Sequence, residues 1–293
     1  MHKAGFVNIV GNPNVGKSTL MNQLVGEKLS IATFKAQTTR HRIMGIVNTE
    51  DSQIVFSDTP GVLKPNYKMQ EMMLQFSESA LADADILLYV TDVIEDPEKN
   101  MDFLEKVAKM SIPVILLINK IDESDQKKLG DLVTKWHGLL PNAEILPISA
   151  KNKFGIDILM KRVHELLPES PAFFDKDQLT DKPAKFFVSE IIREKILRYY
   201  DKEIPYSVEV VVESFKEDDR QIHINAVIYV ERNSQKGIVI GHQGMALKKV
   251  STEARKSLER FFDKKIFLET FVKVDKDWRN SQKELKHFGY NPE

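Results

Sequence analysis

Two unbroken apolar runs stand out along the chain, Asp85–Thr91 (DILLYVT) and Pro113–Ile118 (PVILLI). Runs without polar alternation belong to strands buried on both faces, as in a parallel sheet covered by helices. Further strand-length segments lie at Phe6–Val10, Ile43–Thr49, Gln53–Ser57 and Glu144–Ile148, with Glu50-Asp51-Ser52 between the second and the third. Helical spacing marks Leu20, Met21 and Leu24, the stretches 69–82 and 99–110, and Ile156–Leu167. Strand and helix thus alternate over residues 1–167, the pattern of a doubly wound α/β domain. Pro168-Glu169-Ser170-Pro171 ends the last helix, because proline cannot continue it. Residues 168–184, which add Asp175, Asp177, Asp181 and Pro183, read as a linker.

Beyond the linker the pattern changes. Lys185–Tyr200 is amphipathic at the helical period. Ser207–Phe215 (SVEVVVESF) and Gln221–Val230 (QIHINAVIYV) alternate apolar and polar residues around Glu217-Asp218-Asp219, which predicts a hairpin with one wet face. Ser234–Lys265 is helical apart from a glycine-bearing break at 241–244, Ile266–Val274 reads as a strand and Trp278–His287 as a C-terminal helix. Residues 185–293 therefore form a second, α+β domain in the order α-β-β-α-α-β.

A length of 293 residues suits two domains. Cysteine is absent, which excludes disulfides, thiolate metal sites and thiol chemistry and suits a reducing compartment. No apolar run approaches the ~20 residues of a spanning helix, and the first strand begins too early for a secretory leader. The net charge of −1 conceals an asymmetry: residues 1–180 carry 20 Lys+Arg against 24 Asp+Glu, and residues 181–293 carry 22 against 19. The basic excess gathers in 234–265, where Lys236, Lys248, Lys249, Arg255, Lys256, Arg260, Lys264 and Lys265 face only Glu253, Glu259 and Asp263. Such a concentration points to a polyanionic partner. His2, His41, His137, His164, His223 and His287 show no metal-ligand spacing.

The chemistry sits at the strand ends. Gly11-Asn12-Pro13-Asn14-Val15-Gly16-Lys17-Ser18-Thr19 fits G-x-x-x-x-G-K-[ST] between a strand and a helix. The backbone N–H groups of such a loop hold phosphate oxygens, and Gly11 and Gly16 allow the chain to come close. Lys17 is placed to reach the β- and γ-phosphates and Ser18 to offer a hydroxyl to Mg²⁺. Asp58-Thr59-Pro60-Gly61 supplies an acid for Mg²⁺ and a Gly61 N–H for the γ-phosphate. In Asn119-Lys120-Ile121-Asp122, Asp122 presents two acceptors that match guanine N1–H and its exocyclic amine, donors that adenine lacks in that arrangement. Asn119 can bond N7 and brace the loops, the Lys120 stem can cover the base, and the backbone of Ser149-Ala150-Lys151 can bond O6. Within Gln37-Thr38-Thr39-Arg40-His41 a threonine, Thr39 in preference to Thr38, can complete the Mg²⁺ shell. The residue after Gly61 is Val62, whose side chain cannot orient water by hydrogen bonding, so slow intrinsic hydrolysis is expected.

The strings GNPNVGKSTL, KAQTTRHR, DTPG, NKID and SAK resemble those of the Era family of bacterial GTPases. The second half is similar to a type II KH domain, with Ile240-Gly241-His242-Gln243-Gly244 as its G-x-x-G turn, so the resemblance covers the whole chain. It implies an α/β P-loop NTPase fold followed by a type II KH domain, and GTP hydrolysis driving a switch between GTP and GDP forms. Lys17, Asn14 and Thr39 would be the catalytic residues. An asparagine matching Asn14 helps hold a K⁺ in related GTPases, which makes Asn14 a candidate K⁺ ligand beside the Mg²⁺ site. Single-stranded RNA would lie against the turn, with Lys236, Lys248 and Lys249 nearby and Ile238, Val239, Ile240 and Leu247 lining a groove for about four nucleotides. The implied partner is the 3′ region of small-subunit ribosomal RNA, and the implied role is assembly or maturation of that subunit. A cytoplasmic monomer is expected, with peripheral association at the inner face of the membrane as a further implication. The alternative is a constitutive RNA-binding module whose G domain senses nucleotide with negligible turnover. Trp278 is expected in the core rather than as a base-stacking partner of Arg279.

Overall fold

The computed structural model describes residues 2–291, which divide into two compact units. The first takes the chain as far as Asn66 and again over Gln70–Asp181; the second takes Lys182–Asn291 together with Tyr67–Met69.

The first unit is built on β1 (Lys3–Val10), α1 (Lys17–Val25), β2 (Ile43–Asn48), β3 (Ser52–Asp58), α2 (Lys68–Ala82), β4 (Ile86–Asp92), α3 (Met101–Ala108), β5 (Val114–Asn119), α4 (Gln126–Leu139), β6 (Glu144–Pro147) and α5 (Ile156–Leu166). Its six strands run in the order β2-β3-β1-β4-β5-β6, all parallel except the edge strand β2. Every residue of β4 is buried, as an unalternated apolar run requires, and so is every residue of β3 despite its polar ends. The parallel order brings the C-terminal ends of β1, β3, β4 and β5 to one edge, where doubly wound sheets bind their ligands. Helix α4 has no counterpart among the sequence expectations. Its sequence is mostly polar, carries Gly130 and Gly138, and contributes one buried residue, Trp136, packed 5.8 Å from Tyr89 between ring centroids.

The stretch expected as a linker behaves differently over most of its length. Residues 168–181 run as a strap, the first three beside the start of β1 and the rest along β3 and β2. Ile46 N donates to Leu179 O, Met44 N to Asp181 Oδ1 and Thr180 Oγ1 to Met44 O. Buried Gln53 accepts from Phe173 N and Phe174 N and donates to Phe174 O. The edge of β2 is thereby paired rather than left open.

The second unit contains α6 (Ala184–Tyr199), the short α7 (Ile204–Ser207), β7 (Val208–Glu217), β8 (Gln221–Val230), α8 (Asn233–Ile240), α9 (Met245–Phe262), β9 (Lys265–Val274) and α10 (Gln282–His287). β7 and β8 form the expected antiparallel hairpin, with a bulge between Val212 and Ser214. β8 pairs with β9 in parallel, a connection that needs a crossover, which α8 and α9 supply. Helix α6 departs from the amphipathic expectation: Glu190, Arg193, Glu194 and Lys195 are all buried. They pair with each other, Arg193 with Glu190 at 2.6 Å and Lys195 with Glu194 at 3.0 Å, which is how buried charges are tolerated. The helical stretch expected to reach Lys265 ends at Phe262, because Asp263 turns into the left-handed region and Lys265 already belongs to β9. The C-terminal helix begins only at Gln282, after a 3₁₀ turn at Trp278–Asn280. Trp278 is fully buried, with Nε1 donating to Ser207 O, and Arg279 pairs with Glu231.

Candidate functional site

The loop from Gly11 to Gly16 leaves the end of β1 and delivers Lys17 as the first residue of α1. Lys17 is buried, and its Nζ donates to Gly11 O at 2.9 Å and Asn12 O at 2.8 Å, which folds the ammonium back over the loop. Burial draws its pKa from 10.5 down to about 8, against the opposing pull of Asp58 and Glu95. Pro13, Asn14, Gly16, Lys17, Ser18 and Thr19 line one wall of a cleft of about 390 Å³; Thr39, Gly61 and Lys120 line others.

Three oxygens from three separate segments meet beside the loop. Ser18 Oγ lies 2.7 Å from Thr39 Oγ1 and 2.8 Å from Asp58 Oδ2, and Thr39 Oγ1 lies 3.4 Å from Asp58 Oδ2. Asp58 is fully buried, and its Oδ1 has no hydrogen-bond partner. Burial pushes its carboxyl above the ordinary range, while Lys17, Ser18 and Thr39 pull it back. Hydroxyl and carboxylate oxygens with one buried oxygen unpaired suit a small hard cation such as Mg²⁺. Thr38 turns away: its Oγ1 contacts Lys35 O and Thr33 Oγ1. Among the described residues no group of three or more His, Asp and Glu offers another metal cluster.

At the far side of the cleft, Asn119 is buried and spends its amide on bracing, donating to Val15 O at 2.8 Å and accepting from Ala150 N at 3.0 Å. Asp122 is exposed, with Oδ1 accepting from Ser149 Oγ at 2.6 Å, and Lys151 is exposed beside it. Lys120 adopts a left-handed conformation that aims its stem along the cleft, with Nζ donating to Asn14 O and Asp92 Oδ2. Asn14 is exposed at the cleft's rim. Sequence reasoning missed Asp92, which ends β4 one residue beyond the expected strand, and the exposed Phe34 and Ile94, which also line the cleft. A strand-terminal acid was the available signal for Asp92; nothing in the pattern marked the other two.

In the second unit the turn Gly241–Gly244 joins α8 to α9. Gly241 has φ 72, and a Cβ there would stand 2.5 Å from Ala246 Cβ, so only glycine fits. His242, Gln243, Lys248 and Lys249 are exposed, Lys236 and Ile240 are half-buried, and Lys249 Nζ lies 4.5 Å from the Tyr199 ring centroid. Ile238 is exposed and Leu247 half-buried, as a groove wall needs. Val239 corrects the expectation: it is fully buried in the core and cannot line a groove.

A P-loop GTPase domain followed by a KH domain is the class that this fold and these two sites define. The family model described as a 50S ribosome-binding GTPase matches residues 6–120, and that of the KH domain matches residues 203–279. GTPase Era of Clostridium kluyveri is 44% identical over 292 residues, covering 99% of this chain and 100% of that protein; GTPase Era of a Geobacter species is 46% identical over 290 residues, covering 98% of each. The chain belongs to the Era family of GTPases. Among solved structures, Era in complex with MgGDPNP and nucleotides 1506–1542 of 16S ribosomal RNA matches with TM-score 0.94 and 37% identity over 99% of both chains. A variant of Aquifex aeolicus Era bound to GDP and tetrafluoroaluminate matches with the same TM-score over 98% of this chain and 99% of that one.

Proposed function

We propose that the chain hydrolyses GTP in the cleft at Gly11–Thr19 and uses the nucleotide state to control binding of single-stranded RNA at Gly241–Gly244. The loop amides and Lys17 hold the β- and γ-phosphates, and Asp122 reads the guanine edge, with Ser149 fixing its carboxylate. Asn119 positions the phosphate loop and the Ser149-Ala150-Lys151 loop as one frame. Ser18, Thr39 and Asp58 are the residues that would hold Mg²⁺, which when bound neutralises charge on the β- and γ-phosphates. Val62 is buried, so the attacking water is placed by backbone groups rather than by a side chain at that position. Asn14 supplies a neutral amide oxygen at the rim, the kind of ligand K⁺ takes; equal turnover in K⁺ and Na⁺ buffers would reject that role.

Lys236, Lys248, Lys249 and the turn form the RNA site, with Ile238, Ile240 and Leu247 as its apolar wall. The RNA is read as the 3′ region of small-subunit ribosomal RNA and the role as assembly or maturation of that subunit. The carrying observation is the full-length likeness to an Era structure that holds both a GTP analogue and a 16S segment. The G-domain family's description names the large subunit, but it covers only residues 6–120 and none of the KH unit. No described helix is long and apolar enough to cross a membrane. The cytoplasm, where ribosomal RNA resides, is the proposed setting, with attachment at the inner membrane face open to liposome pelleting.

The test measures affinity for a labelled RNA copying the 3′ end of 16S RNA, with GDP and with a GTP analogue, and turnover with and without RNA. Tighter binding with the analogue and faster turnover with RNA are expected. Identical affinities and unchanged turnover would replace the switch by a constitutive RNA-binding module. Gly241→Asp is the control, and undiminished binding by that variant would remove the turn as the RNA site.

A further inference from the structure

Asn100 occupies the position before α3 where an asparagine ordinarily caps the helix with its side chain. It makes no such cap, and it stands in the left-handed region at φ 59, ψ 47. Its side chain points instead at the phosphate loop and the residue after Gly61. Nδ2 donates to Asn12 Oδ1 at 2.5 Å and to Val62 O at 3.1 Å. A residue that gives up its cap and accepts a disfavoured backbone conformation is held by something other than local helix formation.

Both partners belong to the phosphate-handling segments. Val62 N donates to Gly11 O at 3.1 Å, so the residue is clasped from both sides, its N–H by the phosphate loop and its carbonyl by Asn100. The preceding Gly61 is pressed against the loop: a Cβ there would lie 2.7 Å from Pro13 Cα. Asn12 is orientated in turn, because its side chain also hydrogen-bonds Glu95, which accepts from Thr91 Oγ1 at 3.0 Å. The carboxylate takes the Asn12 amide N–H, which leaves Asn12 Oδ1 facing Asn100.

We infer that Asn100 is a positioning residue for hydrolysis, holding the Gly61–Val62 segment in register with the phosphate loop. The inference rests on the hydrolytic reading of the cleft and supplies what that reading lacks. With an apolar, buried side chain at residue 62, alignment of water and γ-phosphate falls to the Gly61–Val62 backbone, and its register falls to Asn100. Asn100 is thereby given a part in the hydrolytic step and none in holding GDP.

Asn100→Gly is the informative variant, since glycine accepts the left-handed conformation freely and only the amide is lost. Asn100→Asp is the second: it keeps the shape but sets a carboxylate against two acceptor oxygens. Single-turnover GTP hydrolysis, affinity for a fluorescent GDP and the thermal midpoint are measured on the full chain. The expected result is a loss in rate of about tenfold or more, the scale of small misalignments at a reacting centre. GDP affinity stays within about twofold, and Asn100→Asp is at least as slow as Asn100→Gly. A rate for Asn100→Gly within about twofold of the native chain overturns the inference, and so does a loss of GDP affinity as large as the loss of rate. The native chain assayed in parallel separates the two claims: absence of turnover there would overturn the hydrolytic reading itself, whereas turnover unaffected by either variant would overturn Asn100 alone.

Discussion

One hydroxyl joins the end of α6 to the helix that leads into the basic turn. Tyr200 Oη donates at 2.7 Å to Val239 O, one of the last carbonyls of α8, which have no partner within the helix. Burial pushes the Tyr200 pKa from 10.0 up to about 12. Tyr200→Phe leaves a buried carbonyl unpaired and should cost about 1 kcal/mol at neutral pH, read from urea unfolding. The folded pKa lies above the unfolded one, so this stabilisation is complete below pH 10 and disappears as pH rises from 10 through 12. The gap between native chain and variant should therefore narrow over that window, and a gap constant to pH 12 would show that the phenol is not what α8 leans on. Such single contacts leave little trace in a sequence. Lys17, Ser18, Asp58 and Asp122 were legible because their chemistry demands fixed residue types at fixed distances from glycines and strand ends. Asn100 and Glu95 act through hydrogen bonds to neighbours of those residues, Asn12, Val62 and Thr91, and no spacing rule reaches them.

The same contrast holds for elements. Strands β4 and β5 announced themselves because burial on both faces requires unbroken apolar runs. The strap at 168–181 did not, because it is held by backbone groups and by scattered polar side chains, Gln53, Asn48, Thr180 and Asp181, a mode of attachment without periodicity. Gln53 carries much of that attachment: it is fully buried and also donates to Asn48 Oδ1 at 2.8 Å. Gln53→Ala leaves Phe173 N, Phe174 N and Phe174 O without their partner, and unsatisfied groups of this kind cost on the order of 1–3 kcal/mol each when buried. Water can reach part of the strap, so the loss should appear as local release more than global unfolding. Limited proteolysis should cut the variant near Phe173–Lys176 well before the native chain. Equal cutting would mean that the contacts of Lys176, Leu179, Thr180 and Asp181 to β2 hold the strap without Gln53. The strap pairs with β2, which begins at Ile43 shortly after Thr39, and it ends where the second unit's chain begins. If the proposed switch displaces Thr39, the strap is the chain segment by which that movement would reach α6.

For the whole molecule the proposed switch turns on one quantity, the free energy by which the nucleotide and RNA sites would sense each other. If the form bound to a GTP analogue binds RNA tenfold more tightly than the GDP form, the coupling is about 1.4 kcal/mol. Linkage then requires RNA to raise the preference for the analogue over GDP by the same tenfold factor, whatever path connects the sites. Two titrations check this, RNA affinity in each nucleotide state and nucleotide preference with and without saturating RNA. Unequal factors would mean that a further species, such as a dimer or a second RNA site, takes part. The salt dependence tells a direct RNA contact from a conformational one. Each lysine–phosphate contact to a single strand contributes about −0.7 to the slope of log affinity against log salt. Lys248→Ala should lower that slope by about this amount in both nucleotide states, while leaving the ratio between the states unchanged. Gln53→Ala should do the reverse, leaving the slope in each state intact and shrinking the ratio, because it frees the strap without touching a phosphate contact. If Gln53→Ala keeps the full ratio, the coupling does not run through the strap, and the route must lie in other residues that follow the γ-phosphate.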